Sequence, residues 1–189
     1  MTGFILASSS PRRRDLLAGV GIVPACVLPA DISETPLKNE LPAAYAARMA
    51  REKAAVVFER NPNAFVLAAD TVVACGRRIL GKPKDETDAR RMLTLLSGRR
   101  HKVVGAVCLN TPDGKICERL VKTSVVFKVL SEDDKKTYLD CGEWKGKAGA
   151  YAIQGKAGLF VRRIIGSYSN VVGLPLFETG ALLKGNGLL

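Results

Sequence analysis

Residues Phe65–Ala69 are apolar without a break, and after Asp70-Thr71 the pattern resumes at Val72-Val73-Ala74. A run of that kind is a strand covered on both faces, so it belongs inside a sheet with helices packed on it. Gly76 turns the chain, and Arg78-Ile79-Leu80 can pair back before Gly81-Lys82-Pro83. Lys102–Leu109 and Ile116–Val129 read as two further long strands, joined by the hairpin chemistry of Asn110-Thr111-Pro112-Asp113-Gly114. Shorter strands are expected at Phe4–Ala7, Val23–Leu28 and Leu159–Ile165. A helix should open at Pro11 with Ser10 as its N-cap and carry Leu16, Leu17 and Val20 on an apolar side. Pro42 opens an alanine-rich helix reaching about Phe58. Asp85 can cap another, with Ala89, Met92, Leu93 and Leu96 on one face and Gly98 as its stop. Ser131–Leu139, with Ser131 and Asp134 in cap positions, and a last helix after Pro175 complete the series. Strands and helices alternate, but a hairpin interrupts them. The expected fold class is therefore α/β, with a mixed, partly antiparallel sheet flanked by helices.

A chain of 189 residues is long enough for one well-buried core, and a single domain over 1–189 is expected. No apolar run approaches the roughly 20 residues of a membrane helix. Phe4–Ala7 is too short for a secretory h-region, and Arg12–Arg14 follow it instead of preceding it. A cytoplasmic protein that does not act on membranes is expected. The net charge of +11 favours anionic partners, which could be nucleic acid, a membrane surface or a polyphosphate substrate. Nucleic acid is disfavoured, because aromatics make up only 6% of the chain and do not interleave with the basic residues. Five scattered cysteines without a Cys-x-x-Cys pair, and a single histidine, disfavour structural zinc and histidine-based nucleophilic chemistry. His101 reads as structural, with Arg99, Arg100 and Lys102 beside it opposing its protonation.

Several residues carry chemistry. Ser8-Ser9-Ser10-Pro11-Arg12-Arg13-Arg14 joins a strand to a helix start, offering hydroxyls, guanidiniums and free N–H groups to a phosphate; an ordinary capped surface helix fits equally well. Asp70 ends five apolar residues, where an ionised side chain needs a partner or a cleft. Lys53 falls four residues after Met49 on the apolar face of its helix, where it either snorkels to the rim or points into a cleft. Lys82 is held in a Gly-Pro turn. The glycines of Gly146–Gly155 imply close approach of backbone to a ligand or to a neighbouring strand. Gln154, with donors and acceptors, suits a base edge or a loop brace.

Six segments in order resemble the Maf nucleoside triphosphate pyrophosphatases: Leu6-Ala7-Ser8-Ser9-Ser10-Pro11-Arg12-Arg13; Arg51-Glu52-Lys53-Ala54; Ala68-Ala69-Asp70-Thr71-Val72-Val73; Gly81-Lys82-Pro83 with Leu96-Ser97-Gly98; Lys147-Ala148-Gly149-Ala150-Tyr151 with Gln154-Gly155; and Gly173-Leu174-Pro175-Leu176. The resemblance implies a fold similar to the inosine-triphosphate pyrophosphatases, with two lobes around a deep cleft. It implies hydrolysis of a nucleoside triphosphate to the monophosphate and pyrophosphate with a divalent cation, Mg²⁺ or Mn²⁺. Arg12, Thr71 and Gln154 match the subfamily that prefers dTTP and UTP, not the one that prefers 7-methyl-GTP.

By the same resemblance Asp70 activates water and holds the metal with Glu34. Ser8, Arg13, Lys53 and Lys82 hold the phosphates, and Arg12, Thr71 and Gln154 read the base and its surroundings. One departure stands out: Gly146 precedes Lys147 where the family often has Asp. Modified pyrimidine nucleotides as substrates, a regulator of division on the same fold, a basic nucleic-acid-binding protein and a homodimer are left open by the sequence.

Overall fold

The computed structural model describes residues 3–189. Its elements run β1 (Phe4–Ala7), α1 (Pro11–Ala18), β2 (Cys26–Val27), α2 (Pro42–Arg60), β3 (Phe65–Cys75), β4 (Arg78–Leu80) and α3 (Glu86–Leu96). They continue with β5 (Arg100–Asn110), β6 (Ile116–Phe127), α4 (Glu132–Asp140), β7 (Val161–Ile165), α5 (Tyr168–Val172) and α6 (Leu176–Gly185). The strands form one seven-stranded sheet in the order β2-β1-β3-β5-β6-β7, with β4 paired to β3. β1 is parallel to β2 and β3, and the remaining pairs are antiparallel. The sheet is mixed, as the interrupted alternation of strands and helices predicts.

The two-residue period of β3 assigns its side chains to opposite layers. Val66, Ala68 and Val72 pack with Tyr45, Met49, Ala50 and Val57 of α2. Leu67 and Ala69 pack with Leu17 of α1 and with Leu182 and Leu183 of α6. A third cluster around Leu93, Leu96, Phe127, Tyr138 and Phe160 lies beneath α3 and α4.

One feature of this sheet creates the site. Along one edge, β3 pairs with β1 through Ala68, and with β4 only from Val73 onward. Residues 69–72 therefore have no strand beside them on that edge, while β5 pairs with β3 continuously on the other, from Val66 to Ala74. The gap between the ends of β1, at Ala7, and of β4, at Leu80, is a crevice at strand termini, the usual place for a ligand in an open α/β sheet.

Most element boundaries match the sequence pattern, and the differences have local causes. α1 ends at Ala18, so Val20 falls beyond it and is 52% exposed instead of joining an apolar face. Ser10 occupies the N-cap place but makes no side-chain cap bond. Its own N–H donates to Ser8 Oγ at 3.2 Å. Asp85 and Ser131 do cap α3 and α4, and Ser131 with Asp134 forms a full capping box. Lys156–Phe160 forms a 3₁₀ turn, so β7 begins at Val161 and not at Leu159.

Candidate active site

The gap in β3 opens into a cavity of about 490 Å³, within the usual range for a small-molecule site. Ser8, Arg12, Arg13, Glu34, Lys53, Asp70, Thr71, Lys82 and Gln154 all line it. They come from the β1–α1 turn, the loop before α2, α2 itself, β3, the segment after β4, and the glycine-rich stretch.

Asp70 and Thr71 are neighbours in sequence, and the strand period sends them to opposite layers. Asp70 faces α2, where Lys53 Nζ donates to its Oδ1 at 2.7 Å. Both side chains are nearly buried, with residue exposures of 7% for Lys53 and 8% for Asp70. Lys53 thus points into the cleft and does not snorkel. The same ammonium lies 2.7 Å from Glu34 Oε1, and Lys82 Nζ donates to Glu34 Oε2 at 2.9 Å. A line of alternating charge, Asp70–Lys53–Glu34–Lys82, crosses the cavity.

Glu34 is half-buried. Burial works to raise its pKa, but the hydrogen bonds from Lys53 and Lys82 outweigh it and hold the carboxyl at about 2. Its loop is tied to α2 by Tyr45, whose hydroxyl donates to the Glu34 carbonyl at 2.7 Å, and by Arg48, which donates to the Thr35 carbonyl at 3.1 Å. Burial, assisted by Asp70 and Glu34, raises the Tyr45 phenol to about 12 and keeps it a neutral donor.

Thr71 faces α1. Its hydroxyl donates to the Gly173 carbonyl at 3.1 Å and receives Arg13 Nη2 at 3.4 Å. Arg13 is buried; its Nε donates to the same Gly173 carbonyl at 2.9 Å and its Nη1 to Ser8 Oγ at 3.0 Å. Three acceptors from three parts of the chain therefore fix one guanidinium. Burial lowers its pKa, with Asp70 opposing that effect, and an arginine stays charged regardless. Ser8 Oγ accepts two bonds, from Ser10 and Arg13, and its own O–H has no protein acceptor among the described residues, so it can donate to a ligand.

At the other end, Arg12 Nε is buried without a partner among the described residues and Gln154 is exposed. Burial lowers the Arg12 pKa. Arg12 also opposes the charge of Lys147, second to the effect of burial there. Of the glycines before Gln154, Gly149 approaches the protein itself: a Cβ there would stand 2.8 Å from Val73, and its φ of +69° is open only to glycine at low cost. Glu143 Oε2 accepts the Lys156 N–H at 2.8 Å and braces the turn after Gln154.

His101 lies outside the cavity. It is buried beside Tyr151, 2.8 Å from that hydroxyl, and burial lowers its pKa to about 4. The cause is desolvation, not the basic neighbours in sequence. Tyr45, Tyr151 and the Gly173 carbonyl are the parts of the site that sequence reasoning missed. Tyr45 shares a helix face with Met49 and Lys53, which is a usable signal; a backbone carbonyl has none.

Among the described residues no three His, Cys, Asp or Glu side chains cluster as a metal cage. The donors that do converge are two carboxylates, Asp70 and Glu34, each 2.7 Å from one ammonium. Two hard oxygen ligands beside the cationic side chains of the cavity are a donor set that suits Mg²⁺, which is commonly held by one or two carboxylates. The residues present fit such an ion.

The family model described as Maf-like protein matches residues 3–186. A protein of Paramagnetospirillum magneticum called dTTP/UTP pyrophosphatase is 60% identical over 187 residues, covering 99% of this chain and 98% of the relative. A Rhodospirillum rubrum protein of the same name is 58% identical over 183 residues, covering 97% of this chain and 87% of the relative. The solved structure of the Staphylococcus aureus Ham1 protein is similar in fold, with a TM-score of 0.51 at 15% identity, covering 97% of this chain and 98% of that one.

Proposed function

The chain belongs to the Maf-like protein family, and we propose that it hydrolyses nucleoside triphosphates, dTTP and UTP before others, to the monophosphate and pyrophosphate. The observation that carries this reading is the convergence of Arg13, Lys53 and Lys82 on Asp70 and Glu34 in one cavity. Names of relatives more than half identical along nearly the whole chain supply the substrate class.

Attack on the α-phosphorus needs charge neutralised on a highly anionic triphosphate, a water held in line, and a stabilised leaving group. Arg13 meets the first need as a guanidinium already oriented before substrate arrives, and Ser8 adds a hydroxyl donor. Lys53 and Lys82 are both paired to Glu34. An incoming phosphate competes with that carboxylate for both ammoniums. Asp70 commits Oδ1 to Lys53, and its second oxygen is the acceptor for the proton of the attacking water. Asp70 and Glu34 would hold a divalent cation, which would supply positive charge to balance that developing on the leaving pyrophosphate. Its identity as Mg²⁺ or Mn²⁺ is part of the proposal.

Base selection falls to the opposite end. The Gln154 amide carries both an acceptor for the N3–H and a donor for the O4 of uracil or thymine. The buried Arg12 Nε supplies a donor that finds no acceptor among the described residues. One methyl group separates the two bases and is worth only about 1–3 kcal/mol to a pocket, so both are accepted. Modified pyrimidine nucleotides with the same edge fall in the same class. No helix of the described residues is long and apolar enough to cross a membrane, and we place the reaction in the cytoplasm, where nucleoside triphosphates are made.

The test is a panel of nucleoside triphosphates with Mg²⁺ or Mn²⁺, scoring pyrophosphate against orthophosphate. Pyrophosphate released fastest from dTTP and UTP is the expected result. Orthophosphate as first product, or preference for 7-methyl-GTP, would contradict it.

A further inference from the structure

One of the three acceptors that orient Arg13 is the Gly173 backbone carbonyl, which also receives Thr71, and that carbonyl is carried by an element with little holding power of its own. α5 has only five residues, too few to be stable by its internal bonds. Gly173 follows immediately, and Val171, Val172 and Gly173 line the cavity. Something other than the helix itself must seat it.

We propose that Asn170 is a positioning residue of the phosphate site: its amide fastens α5 to the sheet so that the Gly173 carbonyl stands where it holds Arg13. This rests on the reading of Arg13 as a phosphate ligand. Asn170 is fully buried. Its Nδ2 donates to the Val103 carbonyl at 3.2 Å and to Thr123 Oγ1 at 3.0 Å, with the Val121 carbonyl at 3.5 Å. Thr123 Oγ1 in turn donates to the Ser167 carbonyl and accepts the Ser167 N–H, both at 3.2 Å. Two strands, β5 and β6, thereby grip the first turn of α5.

The sheet leaves a hollow for this amide. Gly105 of β5 lies beneath it, and a Cβ there would come within 1.9 Å of Asn170 Oδ1. Gly105 also pairs in register with Thr71, so the amide and the Thr71–Gly173–Arg13 bonds belong to one region of the sheet. Asn170 Oδ1 has no hydrogen-bond partner among the described residues. A buried acceptor without a donor is costly, so the site keeps an amide for its donors and not for its volume.

The closing experiment is a double-mutant cycle between Asn170→Ala and Arg13→Ala, with Gly105→Ala as an independent way to displace the same amide. kcat and KM for dTTP, and the affinity for inorganic pyrophosphate by calorimetry, are measured well below each variant's Tm. Asn170→Ala and Gly105→Ala are each expected to lower kcat/KM by about tenfold or more, since small misplacements of a positioned group are costly. Asn170→Ala should add nothing once Arg13 is gone. Unchanged kinetics with only a lowered Tm, or a full further loss in the Arg13→Ala background, would overturn the proposal. If Asn170→Ala does not fold, the near-isosteric Thr123→Val carries the same expectation and the same cycle.

A wild-type protein that binds pyrophosphate but hydrolyses no nucleotide would defeat the pyrophosphatase reading alone. The cycle on pyrophosphate affinity would then decide the role of Asn170. Failure of the wild type to bind pyrophosphate would defeat both.

Discussion

At the scale of single residues, the site is a line of ion pairs built on one buried couple, Lys53 and Asp70, that could not be buried separately. Lys53 is the pivot, because both Asp70 and Glu34 depend on it. Lys53→Met leaves Asp70 nearly buried without that cation, and should destabilise the fold by about 3 kcal/mol in chemical denaturation. Lys82→Met should cost under about 1 kcal/mol, because that side chain is 60% exposed and water screens its pair with Glu34. The same two variants should both weaken pyrophosphate binding, separating stability from function. Asp70→Asn keeps the volume and the Lys53 contact but cannot take a proton, so kcat should fall by about 10²–10⁴ with the fold intact. Asp70 and Lys53 were legible in the sequence because each breaks a pattern: a carboxylate after five apolar residues, a lysine on an apolar helix face. Glu34 carried no such signal, since a loop carboxylate before a proline looks solvated until Tyr45 and Arg48 are seen to pin its backbone.

Elements contribute by bringing walls together. His101 on β5, Phe127 on β6 and Tyr151 of the glycine-rich stretch stack edge to face, with ring centroids 4.9–5.5 Å apart. They tie the wall that carries Gln154 to the sheet. Burial depresses the His101 pKa to about 4, so the unfolded chain binds a proton at higher pH than the folded one. Its contribution to stability is complete above the ordinary histidine range, near pH 6.5, and is lost as pH falls through about 4. The loss is on the order of 3 kcal/mol, read as a falling Tm between pH 7 and 4, and His101→Gln should flatten that decline. Glu34 acts lower, with stability present above about pH 4.5 and lost toward pH 2.

Strands and capped helices were legible at this scale because period, caps and turn residues agree, as at Asp85 and Ser131. The 3₁₀ turn at Lys156–Phe160 was not, since Leu159 and Phe160 look like the strand they precede. α5 was missed as well: its anchor is tertiary, an amide buried against β5 and β6.

For the whole molecule, the decisive property is topological. β1 stops at Ala7, opposite Ala68, and β4 ends at Leu80, opposite Val73; the four residues of β3 left between those pairings present Asp70 to one layer and Thr71 to the other. No single segment of sequence encodes that gap, because it depends on which strands become neighbours. The excess positive charge is partly explained there: five cationic side chains, Arg12, Arg13, Lys53, Lys82 and Lys84, line the cavity against two carboxylates, Glu34 and Asp70. Such a surplus draws in an anion and raises its encounter rate, and catalytic efficiency should fall as salt is added.

The central claim is that water activated at Asp70 attacks the α-phosphorus in this crevice. Hydrolysis of dTTP in ¹⁸O-labelled water tests it, with both products analysed by mass spectrometry. The label should appear in the monophosphate and be absent from pyrophosphate, and Asp70→Asn should slow its incorporation by about 10²–10⁴. Label in the pyrophosphate would place the attack on the β-phosphorus and contradict the account.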